Sequence, residues 1–376
     1  MLAELAARGS FSPACECIAS RVRARLLQQM AATLAGISGL SCGVAAPLRV
    51  PEVASAAYSA NYGTATEVDN AAYSSQEFWD VVEGAIPGYA DDPALGRFRG
   101  FVDNLRTETP GEIVTLDNGQ EILKQYFFPG LEEEDGVDRS PFPSMPEWER
   151  ALEDLAATAR SELVSVLMER PLDDDLSAPP ADDDDVIGGV WNKAAWFGWQ
   201  FLSLRDAKEW MPHTIRALRA VPTAHRFVGI ARQRGECIGS LHSDQRNYLL
   251  STLTGLRVPR DAPCGVVCPS SDASPLMPQE RKMADKKAIV LDNTFPHYVY
   301  NDSPMDRFVL MAECWHPALT AKERDALAAL FAAKDRFTLI NLKQCPWGFS
   351  DEELMRAILT KEHFDLAFWR DLDHGL

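Results

Sequence analysis

"KAIVLDNTFPHYVYNDSPMDRFVLMAECWHP", residues 287–317, decides the fold of this chain. It contains three short runs rich in β-branched and aromatic residues, separated by Pro, Asn, Asp and Ser, which favour turns. Three earlier runs, "RFVGIA", "YLLSTLTGLRVP" and "CGVVCP", have the same texture. Six such runs between residues 224 and 315, without intervening helices, predict a closed or sandwiched antiparallel β-domain.

Helical patterns flank these runs, so the fold class is an all-β core with flanking helices. We expect one helix over residues 74–86 and another in "LTAKERDALAALFAAK", residues 319–334. The longest lies in "SMPEWERALEDLAATARSELVSVLMER", where Ser144 and Glu147 form the pattern of a capping box. A Trp-rich stretch, residues 190–202, precedes the β-runs, and its simplest interpretation is a helix packed on the β-domain.

Composition limits the possible partners. The chain has 376 residues, 46 % of them hydrophobic, and a net charge of −18, which argues against nucleic acid and anionic membranes as partners. The acidic runs at 131–139 and 171–186 read as solvated loops, because neither has the spaced ligands of a calcium loop. Cys264 and Cys268 would share one face of a strand and form a buried pair.

The chain divides into four predicted regions. Residues 1–57 carry the basic stretch "RVRAR" ahead of a mildly apolar run, which indicates a targeting presequence; a disordered tail is the alternative. An organelle, with a plastid-type presequence favoured, or the secretory pathway is therefore the expected location. No permanent membrane span is expected. Residues 58–124 have no readable role, residues 125–330 form the main domain, and residues 331–376 are a C-terminal helical extension.

Two histidines and one aspartate have the spacing of a metal site. His242 and Asp244 lie two residues apart in "SLHSDQRN", and His297 follows on a later β-run. Two imidazoles and one carboxylate in this arrangement form the facial triad that binds Fe(II) and leaves adjacent positions open for an organic co-substrate and O₂. A lone histidine in a strand is more often a satisfied core residue, so the combination carries the argument.

Arg307 strengthens the iron hypothesis. It lies ten residues after His297, at the start of an apolar strand, where burying an unpaired guanidinium would cost several kcal/mol. A guanidinium pairs with a carboxylate through two parallel hydrogen bonds, so Arg307 is placed to anchor the far carboxylate of 2-oxoglutarate.

At these residues the sequence resembles the aspartyl/asparaginyl β-hydroxylase family of Fe(II)/2-oxoglutarate-dependent oxygenases. The similarity is densest in "LTGLRVP" (253–259), "AIVLDNTFPHYVYND" (288–302) and "RFVLMAECWHPALTAKERDAL" (307–327). The resemblance implies a double-stranded β-helix of the jelly-roll or cupin type. It also implies His242 and His297 as iron ligands, Arg307 as the 2-oxoglutarate anchor, and a structural role for Trp315, His316 and Pro317 at the end of the last core strand.

The chain departs from the family pattern at four positions. Well-studied members carry glycine where this chain has Asp244, which restores a complete triad. The family also uses a serine, an arginine and a histidine to hold 2-oxoglutarate, and the matching positions here are Ala231, Ser251 and Leu253. Arg246 or Asn247, just after the ligand pair, is a hypothetical replacement for the lost donors.

The sequence thus predicts a dioxygenase that uses Fe(II), 2-oxoglutarate and O₂ to hydroxylate or desaturate an unactivated C–H bond. The substrate is a protein side chain, peptidyl Asp or Asn, or an apolar small molecule. The aromatic set of the Trp-rich stretch would suit the latter: Trp191, Trp196, Phe197, Trp199 and Phe201. Two alternatives stay open, a catalytically silent relative and a cupin-type metal or ligand-binding protein without oxygenase activity.

Overall fold

Two antiparallel β-sheets face each other across a shared apolar interior in a computed structural model of the chain. The structure describes residues 70–131, 138–169, 192–193, 199–204, 207–239, 241–269, 279–342 and 372. Strands β1 (Ile113–Thr115) and β2 (Glu121–Leu123) form a separate hairpin. Ten further strands build the two sheets: β3 (Asn192–Lys193), β4 (Trp199–Ser203), β5 (Thr223–Gln233), β6 (Cys237–Ile238), β7 (Leu249–Arg257), β8 (Cys264–Cys268), β9 (Gln279–Lys282), β10 (Ala288–Leu291), β11 (Tyr298–Asn301) and β12 (Arg307–Trp315). All six strands expected from the sequence are present. Two short ones, β6 and β9, lie between them.

The strand order identifies the fold. The larger sheet runs β10-β7-β12-β5-β4-β3 and the smaller one β6-β11-β8-β9, with every pairing antiparallel. From β5 to β12 the chain crosses repeatedly between the sheets, and consecutive described strands lie in opposite layers except for the paired β8 and β9. This winding is the double-stranded β-helix, or jelly roll, and the predicted fold is confirmed.

Alternation along the strands separates the interior from the outer face. Ala231, Leu253 and Val309 of the larger sheet meet Val266 and Val299 of the smaller sheet inside the barrel. Their neighbours on the same strands point outward and form a second core beneath a long helix: Ile230, Leu256 and Leu310. Because both faces of β7 and β12 are covered, these strands read as nearly continuous apolar runs.

The long helix begins one residue later than its sequence pattern suggested. Five α-helices are described: α1 (Gln76–Ala85), α2 (Gly96–Thr107), α3 (Pro146–Glu169), α4 (Pro212–Ala217) and α5 (Ala321–Phe337). Pro146 opens α3, so the predicted capping box of Ser144 and Glu147 is wrong. The side chain of Glu149 accepts the Met145 amide, while the Ser144 amide donates to Asp138.

The described part of the Trp-rich stretch is β-structure. The expected helix is wrong: β3 and β4 extend the larger sheet beyond β5. Phe201 pairs with Ala231 and packs on the interior core, whereas the next residue, Leu202, packs under α3. Successive side chains that point to opposite faces are typical of a strand and not of a helix. Trp191, Trp196 and Phe197 lie outside the described residues.

A third core joins the two ends of the described chain. Phe98 of α2, Tyr248, Trp315 and Leu327 of α5 share one apolar cluster. The buried carboxylate of Glu323 binds Arg97 at 2.7 Å across this junction, and it also completes a capping box with Thr320 at the start of α5. Trp315 is the last residue of β12, in line with the structural role expected for the Trp-His-Pro motif.

Several predictions fall wholly or partly outside the described residues. They concern the presequence at 1–57, the acidic run at 171–186, most of the acidic run at 131–139 and most of the C-terminal extension. Cys264 and Cys268 both face the barrel interior, as the sequence indicated. Within the described ranges, none of the helices combines the length and apolarity that a membrane crossing would need.

Candidate metal centre

His242 and His297 lie side by side at the edge of the smaller sheet. Their backbones form a two-way bridge: the His242 amide donates to the His297 carbonyl at 2.9 Å, and the reverse bond is 2.7 Å. The imidazole centroids are 4.3 Å apart. His297 immediately precedes β11, and His242 follows β6, so neighbouring strands of one sheet bring together residues that are 55 positions apart.

The environment of His297 favours the protonation state of a metal ligand. His297 is 5 % exposed, and its Nδ1 lies 2.9 Å from the carbonyl oxygen of Phe295. A carbonyl only accepts, so Nδ1 carries the proton and Nε2 keeps its lone pair. Burial, followed by the charge of His242, lowers the pKa of His297 to about 4. The imidazole is therefore neutral at physiological pH, as metal binding requires.

Asp244 is held close to this pair by Asn293. The Asp244 amide donates to the Asn293 carbonyl at 2.7 Å, and its Oδ2 accepts the Asn293 side-chain amide at 2.7 Å. Its charge acts on His297 and opposes the lowering of that pKa. In the part of the chain that the structure describes, no three His, Cys, Asp or Glu side chains are already arranged to hold a metal.

The structure brings the imidazoles of His242 and His297 together. The complete triad, with Asp244 as the third ligand, stays a prediction. The donor chemistry fits Fe(II), because a neutral imidazole pair with one carboxylate is the set this ion takes in non-haem oxygenases.

Arg307 crosses the barrel interior. It is the first residue of β12 and is fully buried at 0 % exposure. Its Nη1 donates to the Tyr300 carbonyl at 3.3 Å, and its guanidinium also bonds the Cys264 thiol. Both partners belong to the smaller sheet, so the side chain points between the sheets. Burial lowers the pKa of Arg307 to about 10, which leaves it charged at neutral pH.

Arg246 and Asn247, which follow Asp244 on the same loop, have defined contacts. The Arg246 guanidinium lies 4.6 Å from the Tyr126 ring centroid, and its Nη1 is 3.4 Å from the Asp244 carbonyl. The Asn247 side chain bonds both the amide and the carbonyl of Phe128, each at 2.9 Å, which makes it a structural bridge. Contact between Arg246 and the co-substrate stays a prediction.

The three positions that match the family's 2-oxoglutarate-binding residues all lie in the interior. Ala231 and Leu253 belong to its apolar core. Ser251 is 3 % exposed, and its Oγ accepts the side-chain amide of Asn293 at 3.0 Å. Ala231 and Leu253 offer no side-chain hydrogen-bond donor for a carboxylate.

The loops that carry the candidate ligands are attached to a hairpin that the sequence left without a role. Strands β1 (Ile113–Thr115) and β2 (Glu121–Leu123) form this hairpin. The Glu121 amide donates to the Thr294 carbonyl at 2.8 Å, and the Leu123 amide to the Gln245 carbonyl at 3.1 Å. The Asp-Asn-Gly turn at 117–119 signals a hairpin in the sequence, but no local signal reveals which loops it contacts.

A buried polar cluster completes this attachment. Gln120 donates from Nε2 to Asp292 and to Thr294, both at 2.8 Å. Asp292 also accepts the amide and the hydroxyl of Thr294, at 3.0 and 2.6 Å. Burial outweighs these bonds and raises the pKa of Asp292 to about 6.

Comparison with known proteins gives partial matches. Residues 153–317 match the family model described as Aspartyl/Asparaginyl beta-hydroxylase. The aspartyl/asparaginyl beta-hydroxylases of Mus musculus and Homo sapiens are 27 % and 26 % identical over 89 residues. Each alignment covers 24 % of this chain, and the chain spans 11 % of the length of these relatives.

Solved structures give only weak likenesses. A Burkholderia pseudomallei oxidoreductase of the 2OG-Fe(II) oxygenase family is 21 % identical, with a TM-score of 0.21, over 26 % of this chain and 47 % of that chain. A Pseudomonas putida prolyl-4-hydroxylase is 10 % identical, with a TM-score of 0.28, over 45 % of this chain and 97 % of that chain. The fold assignment rests on the strand order. In sequence, residues 153–317 are similar to the aspartyl/asparaginyl β-hydroxylase family, the family that the motifs resemble.

Proposed function

We propose that this chain is an Fe(II)- and 2-oxoglutarate-dependent dioxygenase that hydroxylates an unactivated C–H bond. The observation that carries the proposal is the contact between the His242 and His297 imidazoles at the edge of a barrel that also encloses the buried Arg307 guanidinium. A core role for His242 and His297 would explain their contact, but it would not explain why a cation is buried inside the same barrel.

The proposal assigns a task to each group. His242, His297 and Asp244 would hold Fe(II), which when bound supplies the chemistry that activates O₂ as 2-oxoglutarate is converted to succinate and CO₂. Arg307 would anchor the far carboxylate of 2-oxoglutarate through charge-assisted hydrogen bonds. The apolar interior around Leu253 and Val309 would keep water from the reacting groups.

The apolar character of that interior favours an apolar small molecule as substrate. Phe201 and Phe227 stack edge to face at 5.7 Å, and Phe201 packs on the interior core. A peptidyl Asp or Asn, the substrate class named by the family description, is the competing proposal. Mass spectrometry of a cell extract incubated with the protein distinguishes them, because the mass gain of one oxygen appears on a small molecule or on a peptide.

Succinate release tests the activity itself. The protein with Fe(II), ascorbate, 2-oxoglutarate and cell extract is expected to release succinate, and His242→Ala is expected to reduce this release to background. His213→Ala is a matched control, since His213 lies exposed on α4. Release that survives in His242→Ala would reject the assigned iron site. If the protein binds metal but releases no succinate, it is a silent relative or a non-oxygenase cupin, an outcome for which the apolar Ala231 and Leu253 give a reason.

We further propose that residues 1–57 direct the protein to an organelle, with a plastid favoured, or into the secretory pathway. Fusion of these residues to a fluorescent protein tests this. Diffuse fluorescence, without organelle or secretory localisation, would contradict it.

A further inference from the structure

Gln233 lies beside Arg307 inside the barrel. It is the last residue of β5, and it pairs directly with Arg307, the first residue of β12. Directly paired residues of an antiparallel sheet point to the same face, so both side chains enter the interior, as the pair Ala231 and Val309 does two residues further along. Both are 0 % exposed. A neutral amide and a cation are thus buried next to each other in a mostly apolar space.

Both side chains reach the facing sheet and make a long hydrogen bond there. Gln233 Nε2 donates to the Cys237 carbonyl of β6 at 3.4 Å, and Arg307 Nη1 donates to the Tyr300 carbonyl of β11 at 3.3 Å. The usual range is about 2.7–3.2 Å, so each of these bonds is weak. A charged acceptor that enters between the sheets would therefore take both donors in exchange for a stronger bond.

The amide of Gln233 is incompletely satisfied by the protein. Its orientation follows from the Cys237 carbonyl, which only accepts, so the atom that faces it is Nε2. Nε2 has a second hydrogen to donate, and Oε1 is buried without a hydrogen-bond partner in the described ranges. An amide buried in this way is costly, and a bound molecule is one of the partners that complete such groups.

We propose that Gln233 is a second donor to the carboxylate that Arg307 anchors, and that it makes the site selective for 2-oxo acids with a far carboxylate. The inference rests on the proposed function, because it takes 2-oxoglutarate as the co-substrate. A carboxylate has about four lone-pair sites, and a guanidinium fork uses two of them. Nε2 would serve a third. Ala231, two residues earlier on the same face, has no polar side-chain atom that could do so.

Binding is measured without turnover. Co²⁺ replaces Fe(II), and its visible d–d absorption reports the binding of two ligands: 2-oxoglutarate, and 2-oxopentanoate, which has the same carbon chain without the far carboxylate. Gln233→Met keeps the length of the side chain and removes the amide. It is expected to weaken 2-oxoglutarate binding about 10-fold, near the lower end for one hydrogen bond to a charged group. Binding of 2-oxopentanoate should be unchanged, because this ligand has no acceptor for the lost donor.

Gln200→Met is the matched control. Gln200 is also buried, on the neighbouring strand β4, but it points to the other face of the sheet, where its Oε1 accepts Arg232 Nη1 at 2.6 Å. The control should lose stability in urea unfolding, since a buried cation loses a partner, and keep its affinity for 2-oxoglutarate. Gln233→Met should do the reverse, because the amide it removes makes a single long bond among the described residues.

The outcomes separate the two proposals. If the unmodified chain binds no 2-oxoglutarate, or if Arg307→Met binds it just as tightly, the proposed co-substrate site is rejected and the role of Gln233 with it. If Arg307→Met loses affinity and Gln233→Met does not, only the role of Gln233 is rejected. An equal loss for both ligands in Gln233→Met would show general damage to the barrel and would also overturn the inference. Gln233→Leu repeats the measurement if the methionine variant does not fold.

Discussion

The candidate site has two halves, the buried Arg307 and the metal half with His242, Asp244 and His297, and the two are held in different ways. Arg307 projects from the long central strand β12, and its described contacts are to Tyr300 and Cys264 on the facing sheet. The metal half lies on two loops, 241–247 and 292–297, which are fastened to the hairpin β1–β2 and to Tyr126 and Phe128. The anchor is therefore built within the barrel, whereas the metal half also depends on residues 113–128.

This difference has a consequence for the family match. The matched segment, residues 153–317, contains the whole barrel and Arg307 but not the hairpin. A fragment limited to that segment would keep the strand-borne anchor and lose the contacts that fix the metal loops. Substitution of Arg307 should therefore change the KM for 2-oxoglutarate, whereas substitutions near the hairpin should change stability and metal binding.

The largest effect on co-substrate binding is expected from Arg307→Met. Loss of a charge-assisted pair with the far carboxylate is expected to raise the KM for 2-oxoglutarate about 30- to 150-fold, equivalent to about 2–3 kcal/mol. Stability should change little, because a buried cation is replaced by an apolar side chain of similar length. The KM is measured by succinate release. Arg257→Met is the control, since Arg257 is exposed and lies over the Phe308 ring at 5.7 Å; an unchanged KM in Arg307→Met would remove the anchor from the mechanism.

Asn247→Ala addresses the other half and should act on stability and metal binding together. The substitution removes both bonds to Phe128 and leaves a buried amide and carbonyl without their partner, at a cost of about 2–4 kcal/mol. Urea unfolding measures the loss, and Co²⁺ titration shows whether the metal loop loosens with it.

Asn104→Ala provides the comparison for Asn247→Ala. It removes a single bond to the neighbouring Phe127 carbonyl, and about 1 kcal/mol is expected. Equal losses of stability in the two variants would show that the bridge between Asn247 and Phe128 has no special role.

The same division explains how far the sequence could predict the molecule. Local runs of β-branched and aromatic residues predict the strands. The H-x-D pair, the later histidine and Arg307 have recognisable spacing. The contacts of Gln120 and Asn247 are formed across 172 and 119 positions, and no local pattern reveals partners at such a distance. The helix predicted for the Trp-rich stretch is wrong for a related reason, because β4 forms by pairing with β5, a strand that lies far along the chain.

Asp292→Asn tests the hairpin junction through pH. Burial raises the pKa of Asp292 to about 6, above its usual value of 3.8, so the folded chain binds this proton more tightly than the unfolded chain. The stability contributed by the protonated form is complete at low pH and is lost as the pH rises from about 4 to about 6. The unmodified chain should lose about 1–3 kcal/mol of stability over this range, and the asparagine variant should lack this slope because its amide does not ionise. Urea unfolding of both proteins across this range measures the difference, and parallel curves would mean that Asp292 does not titrate as proposed.

The smallest effect on stability is expected from Arg246→Ala, a substitution on the metal half. Loss of its contact with the Tyr126 ring should cost about 0.5–1 kcal/mol in urea unfolding. Its effect on 2-oxoglutarate is the sharper measurement, because the sequence predicts Arg246 as a replacement for the donors missing at Ala231 and Leu253. If that prediction holds, the KM rises in Arg246→Ala, and the metal loop supplies part of the co-substrate site. If the KM is unchanged while Arg307→Met raises it, binding of the co-substrate depends on the strand-borne half and Arg246 serves to attach the loop to Tyr126.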